Sequence, residues 1–116
     1  MSIDNDEFFR NDIKFIKEQN GDEESVLKKE YENYYIENKI DCLAYLMRVE
    51  YDNVPAFNVA MCLKIESKVY DDHKENLSKI FTNRYSENEH LDFIVLSDKL
   101  YEQIQMVGSP FFRGQN

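Results

Sequence analysis

Two neighbouring segments constrain this chain more than any other feature. Residues 40–51, IDCLAYLMRVEY, and residues 56–66, AFNVAMCLKIE, carry apolar side chains at a period of two. That is the repeat of a strand, not of a helix. In the first segment Leu43, Tyr45, Met47, Val49 and Tyr51 fall on one face, and Ile40, Cys42, Ala44 and Leu46 on the other. Two apolar faces suit a strand covered on both sides, and so a central place in a sheet. In the second, Phe57, Val59, Met61, Leu63 and Ile65 alternate with Asn58, Ala60, Cys62, Lys64 and Glu66, so one buried face is expected. Asp52-Asn53-Val54-Pro55 between them is a turn signal. The two strands are expected to form a hairpin with a loop of about four residues.

The flanking segments read as helices. Asp4 with Glu7 resembles a capping box. Phe9, Ile13 and Ile16 then share a helical face, with Phe8 and Phe15 beside it, and Asn20-Gly21 ends this first helix. Asp22-Glu23-Glu24 opens a second helix, with its acids at the positive end of the helix dipole. Leu27, Tyr31, Tyr34 and Tyr35 make its apolar stripe, and Asn38-Lys39 closes it. Asp72 and Glu75 form another capping box ahead of a stripe of Leu77, Ile80, Phe81 and Tyr85. Leu91 to Leu96 reads as a third strand. Ser97 caps a last helix bearing Leu100, Tyr101, Ile104 and Val107, which Gly108-Ser109-Pro110 stops.

The expected order is α-α-β-β-α-β-α, an α+β fold. Residues 1–116 are read as one domain, with N-terminal helices in 1–39 and a sheet-containing core in 40–113. The sheet is expected to be small, mixed and three-stranded, with helices packed on it. The second strand, third helix and third strand make a crossover. The first strand is favoured for the middle of the sheet, and a third strand beside the second is the other possible order.

Composition bounds the function. The chain has 116 residues, 42% of them hydrophobic, with eight Phe and eight Tyr, which is enough for one core. The net charge is −9, from 23 acidic against 14 basic residues. Such a surface repels nucleic-acid phosphates and anionic lipid headgroups, and it attracts basic proteins. The first residues, MSIDNDEFFRNDIKF, hold no apolar run of signal-peptide or membrane-span length, so a cytoplasmic protein is expected, with no membrane partner. Cys42 and Cys62 both fall in expected strands and read as small core residues. If the two strands pair, the cysteines could be neighbours, although a reducing cytosol disfavours a disulfide.

No catalytic constellation emerges. His73 and His90 stand apart, with no Cys-x-x-Cys or His-x-x-x-His spacing. Asp71-Asp72-His73 reads more simply as a helix start than as a metal site. The cysteines lie in apolar strands, where thiols stay protonated. There is no Gly-x-Ser-x-Gly, phosphate loop or dinucleotide turn, and the chain has only three glycines. Carboxylate pairs are frequent, but 23 acids place such pairs everywhere by chance. Neither an enzyme nor a cofactor or metal site is expected. Arg48 is the odd residue, on the strand face that otherwise carries Ile40, Cys42 and Ala44. It reads as a strand end fraying into solvent, or as a contact to a partner or a nearby acid.

The end of the chain carries a family likeness. Asp92-Phe93-Ile94-Val95-Leu96, the helix Asp98 to Val107, and Gly108-Ser109-Pro110-Phe111-Phe112 resemble the C-terminal domain of the enhanced serine sensitivity protein B (SseB-like) family. Ala44-Tyr45-Leu46 ahead of a second strand is also similar, so the resemblance spans residues 40–113. It is a pattern of apolar types. Members commonly carry another domain, and they end in a Phe-Tyr pair where this chain has Phe111-Phe112. The resemblance implies a small α/β domain used in protein–protein contacts, and it carries over no catalytic residue. By size, charge and composition the chain is also similar to immunity proteins of bacterial toxin systems, including contact-dependent growth inhibition.

The expected function is therefore that of an immunity protein, which binds and neutralises a cognate toxin domain, expected to be a basic nuclease. The alternative is a cytosolic SseB-like adaptor that modulates a housekeeping enzyme. The expected partner-facing acids are Asp22, Glu23, Glu24, Asp71, Asp72, Glu87 and Glu89. The expected anchors are Tyr34, Tyr35 and Tyr85. A monomer, or a weak homodimer through an exposed sheet edge, is expected.

Overall fold

The two alternating segments pair and form the centre of the sheet. The computed structural model describes residues 12–52, 54–85 and 89–114. They form β1 (Ile13–Glu18), α1 (Asp22–Glu37), β2 (Leu43–Tyr51), β3 (Val54–Lys64), α2 (Ser67–Arg84), β4 (Asp92–Val95), α3 (Asp98–Gln105) and β5 (Phe112–Arg113). The fold is α+β with a mixed sheet in the order β1-β2-β3-β4, and β5 also pairs with β2. Only β3 and β4 run parallel, joined by the α2 crossover. β1 borders residues 47–51 of β2, while β5 borders Leu43 and Ala44. The two short strands thus fill one edge of β2 in series.

The sheet is dry on both faces. On one, Ala44, Leu46, Met61 and Leu63 meet Leu27, Tyr31 and Tyr35 of α1 and Leu77 of α2. On the other, Tyr45, Met47, Val49, Ala60 and Cys62 meet Phe15, Leu96 and Ile104. The face assignment of β2 read from its period holds residue for residue. β3 differs from expectation, because Ala60 and Cys62 on its second face are also fully buried. Both belong to the cluster that holds Ile104 of α3.

Several expectations are corrected. The first expected helix is, over its described part, the strand β1. Ile13 and Phe15 alternate with Lys14, and pairing with the open edge of β2 outweighs the weak helical pattern. A bulge at Ile16 shifts the register between Phe15 and Lys17. Asp4, Glu7, Phe8 and Phe9 lie outside the described residues. The sheet therefore has five strands among the described residues instead of three. The favoured middle position is also revised: β3, not β2, lies between β2 and β4, the alternative order. β2 is still interior, through β1 and β5.

Two boundaries move. The hairpin connection is shorter than expected, since Tyr51 pairs with Val54. Asp52 takes φ 53°, the positive φ that a tight two-residue hairpin turn demands. Pro55 lies inside β3, which is tolerated because β4 pairs only with residues 60–63 and leaves that edge open. α2 begins at Ser67, not Asp72, so Asp71, Asp72 and Glu75 are in the body of the helix and form no capping box. Ser97 does cap α3, its hydroxyl accepting from the Leu100 N–H at 3.2 Å. Cys42 and Cys62 fall on opposite faces of the sheet, so no intrachain disulfide joins them.

Candidate functional site

α1 starts at Gly21, whose φ of 155° favours glycine, and its first turn carries Asp22, Glu23 and Glu24. Leu27, Tyr31 and Tyr35 point inward and are buried. Helical periodicity then places Asp22, Val26, Lys29, Asn33 and Ile36 on the opposite stripe, and all five are exposed. Val26 and Ile36 leave 46% and 51% of their surface open. Ten residues at 1.5 Å rise separate them by about 15 Å. Around them α1 holds six acids against two lysines, a balance of −4.

Some of these acids are already engaged. Glu24 accepts from the Gln19 amide at 3.0 Å. Glu30 takes both guanidinium donors of Arg84, at 3.0 and 2.8 Å, and the Arg84 hydrogen bond holds its carboxyl below the usual range. Asp22, Glu32 and Glu37 have no ion-pair partner among the described residues. The outer face of α1 therefore carries two separated apolar side chains, with Lys29 and Asn33 between them, on a helix of acidic balance.

The sequence-predicted residues divide by position. Glu23 and Glu24 meet Tyr85 at one end of the α1–α2 layer. Burial and the Glu23 carboxylate push the Tyr85 hydroxyl up, while its ring packs on Phe81 at 4.7 Å. Tyr34 is half-buried at the other end. Its hydroxyl shares a 2.7 Å hydrogen bond with Nδ1 of His73 and accepts from the Asn76 amide at 3.2 Å. Asp71 and Asp72 are exposed beside it on α2, Asp71 at 3.8 Å from Lys74. Glu89 is exposed, and Glu87 lies outside the described residues.

Tyr35 is a correction. It is fully buried against Phe112 and Tyr31, so it is a core residue and not a surface anchor. Val26 and Ile36 are exposed apolar residues of α1 outside the expected partner-facing set. The signal was present in the period, since both fall opposite the Leu27-Tyr31-Tyr35 stripe.

Three other places hold reactive side chains. At the start of β4, Asp92 accepts from the Tyr51 hydroxyl at 2.7 Å and pairs with Nε2 of exposed His90. Among the described residues, no serine or cysteine is a hydrogen-bonding partner of this pair. The thiols are inert: burial pushes Cys42 up to about 12 and Cys62 further. No group of three or more possible metal ligands occurs among the described residues. A cleft of about 450 Å³ is lined by Lys17, Glu18, Arg48 and Phe57. Arg48 is not frayed there: its guanidinium lies 4.6 Å from the Phe57 ring centroid, a cation–π contact worth about 0.5–1 kcal/mol at an open site.

Among the described residues no helix is long and apolar enough to cross a membrane. In comparisons with family models, curated proteins and solved structures, nothing matches this chain.

Proposed function

We propose that the protein is an immunity protein, which binds a basic toxin domain and neutralises it. The observation that carries this reading is the outer face of α1, where exposed Val26 and Ile36 sit on a helix of acidic balance. The two apolar side chains would each bury area against the partner, one near either end of the helix. The acids speed and orient the approach of a cationic partner. Against a nuclease, the same carboxylates would occupy a surface meant for phosphates and compete with substrate. The SseB-like resemblance of residues 40–113 supports a role in protein contacts.

The test is affinity capture from the native bacterium at low and high salt, with mass spectrometry. The wild-type chain and a Val26→Asp/Ile36→Asp variant are used as baits. The expected result is one basic toxin domain, held by the wild type at high salt and lost by the variant. Co-expression with that domain should protect cells only when the wild-type surface is intact. Recovery of a metabolic or translation enzyme in place of a toxin would overturn the immunity reading in favour of the adaptor.

A further inference from the structure

We propose that the cleft between Arg48, Lys17 and Phe57 is a binding site for a carboxylate carried next to an apolar side chain. The inference stands apart from the immunity reading and does not depend on it. Arg48 shares its sheet face with Ala44 and Leu46, yet it lies beyond the part that α1 and α2 cover. It pairs across the sheet with Lys17 of β1 and Val59 of β3. Two cations therefore sit side by side on one face of a protein whose net charge is −9.

The neighbouring polar groups are occupied. Glu18 accepts from the Ser109 N–H at 2.8 Å. Gln19 donates to Glu24 at 3.0 Å, and the Asn20 side-chain oxygen accepts from Lys28 at 2.8 Å. Arg48 has no carboxylate among the described residues, and its buried Nε has no hydrogen-bond partner. That Nε is closed to solvent, so a ligand entering the cleft would meet the guanidinium through its two terminal nitrogens. The donors still free in the cleft are a guanidinium fork and an ammonium.

The shape of that fork selects the ligand. A planar guanidinium matches a carboxylate through two parallel hydrogen bonds. The Phe57 ring already packs against the guanidinium and is 63% exposed, while Val107 at 38% extends the apolar lining. Polyphosphates and nucleic acids are disfavoured, because Glu18 lines the same cleft and the acidic start of α1 follows directly on Asn20. A monoanion flanked by an apolar group fits the combination of charge and surface.

The experiment is a titration of the ¹⁵N-labelled protein followed by amide NMR shifts, using four probes. N-acetylphenylalanine presents a terminal carboxylate, and N-acetyl-aspartyl-phenylalanine amide a side-chain carboxylate. N-acetylphenylalaninamide lacks the charge, and inorganic phosphate lacks the apolar group. Saturable shifts at residues 17–20, 48 and 57 are expected with at least one of the first two, and the stronger of them identifies the source. Arg48→Gln should weaken that binding tenfold or more. Arg48→Lys keeps the charge without the fork and should recover only part of it. Amide spectra of each variant matching the wild type elsewhere will show that the fold is retained. Equal binding of the uncharged amide or of phosphate would overturn the proposal, as would no saturable shift with either carboxylate.

Discussion

On one face of the sheet, α1 and α2 run antiparallel and bury Tyr31, Tyr35 and Leu77. On the other, one eight-residue helix, α3, packs over Tyr45, Met47, Val49, Ala60 and Cys62, with Phe15 of β1 in the same cluster. The first face is tied by polar handles on aromatic rings. The Tyr31 hydroxyl donates to the Leu77 carbonyl at 2.7 Å, and the Tyr34 hydroxyl shares a bond with His73. The second face has one such handle, the Tyr51 hydroxyl donating to Asp92 at 2.7 Å, and otherwise packs Ile104 of α3 against Ala60 and Cys62. The two-helix face therefore presents the larger helical surface, from helices of 16 and 18 residues against one of eight.

The largest test of this contrast is a cavity on each side. Leu77→Ala and Ile104→Ala remove fully buried side chains and should each cost about 2–5 kcal/mol in urea unfolding. The sheet separates the two sites, so the double variant should add to within about 0.5 kcal/mol. A clear departure from additivity would mean that β2 and β3 transmit strain between the faces.

Hydroxyl removal sharpens the comparison within the aromatic face. Tyr31→Phe deletes a made hydrogen bond and should cost about 1 kcal/mol. Tyr35→Phe deletes a buried hydroxyl that has no partner, so thermal unfolding should show no loss, or a small gain. Equal losses from both substitutions would place an unseen acceptor beside Tyr35.

Alkali should act on the same face. Burial pushes the Tyr31 and Tyr35 hydroxyls up from the ordinary 10.0, so the folded state holds them neutral. Their stabilisation is complete below pH 10.0 and is lost as pH rises from there toward the raised folded values. Urea midpoints measured from pH 8 to 11 should fall less steeply in the Tyr31→Phe/Tyr35→Phe variant. An identical slope would sink this account.

The smallest effect concerns the surface clasp of α1 and α2. Arg84 lowers the Glu30 carboxyl below 4.5. That contribution is present above pH 4.5 and fades as pH falls through the lowered folded value. Both groups are open to solvent, so the change is a small shift in melting temperature between neutral and acid pH. Arg84→Gln should remove the Glu30 share of the acid dependence, and an unchanged dependence would show that the clasp contributes nothing.

Much of this architecture was legible because periodicity is a local property. The two faces of β2, the buried stripe of α1, the Ser97 cap and the β3-α2-β4 order followed from residue spacing. The outward position of Val26 and Ile36 follows from the same spacing. Tyr35 shows the limit of expecting tyrosines as surface anchors: a tyrosine on a buried stripe becomes core whatever its hydroxyl might offer a partner.

What the sequence by itself determined was which side chains share a face, because backbone geometry sets the periods of strand and helix. Tertiary structure decided the rest. Ile13 and Phe15 became strand because β2 had an open edge to fill. Cys42 and Cys62 were separated because register placed them on opposite faces. Arg48 was set beside Lys17 and Phe57 by strand pairing between segments distant in sequence. Pairing, register and cover depend on which neighbour arrives, and no local pattern encodes the neighbour.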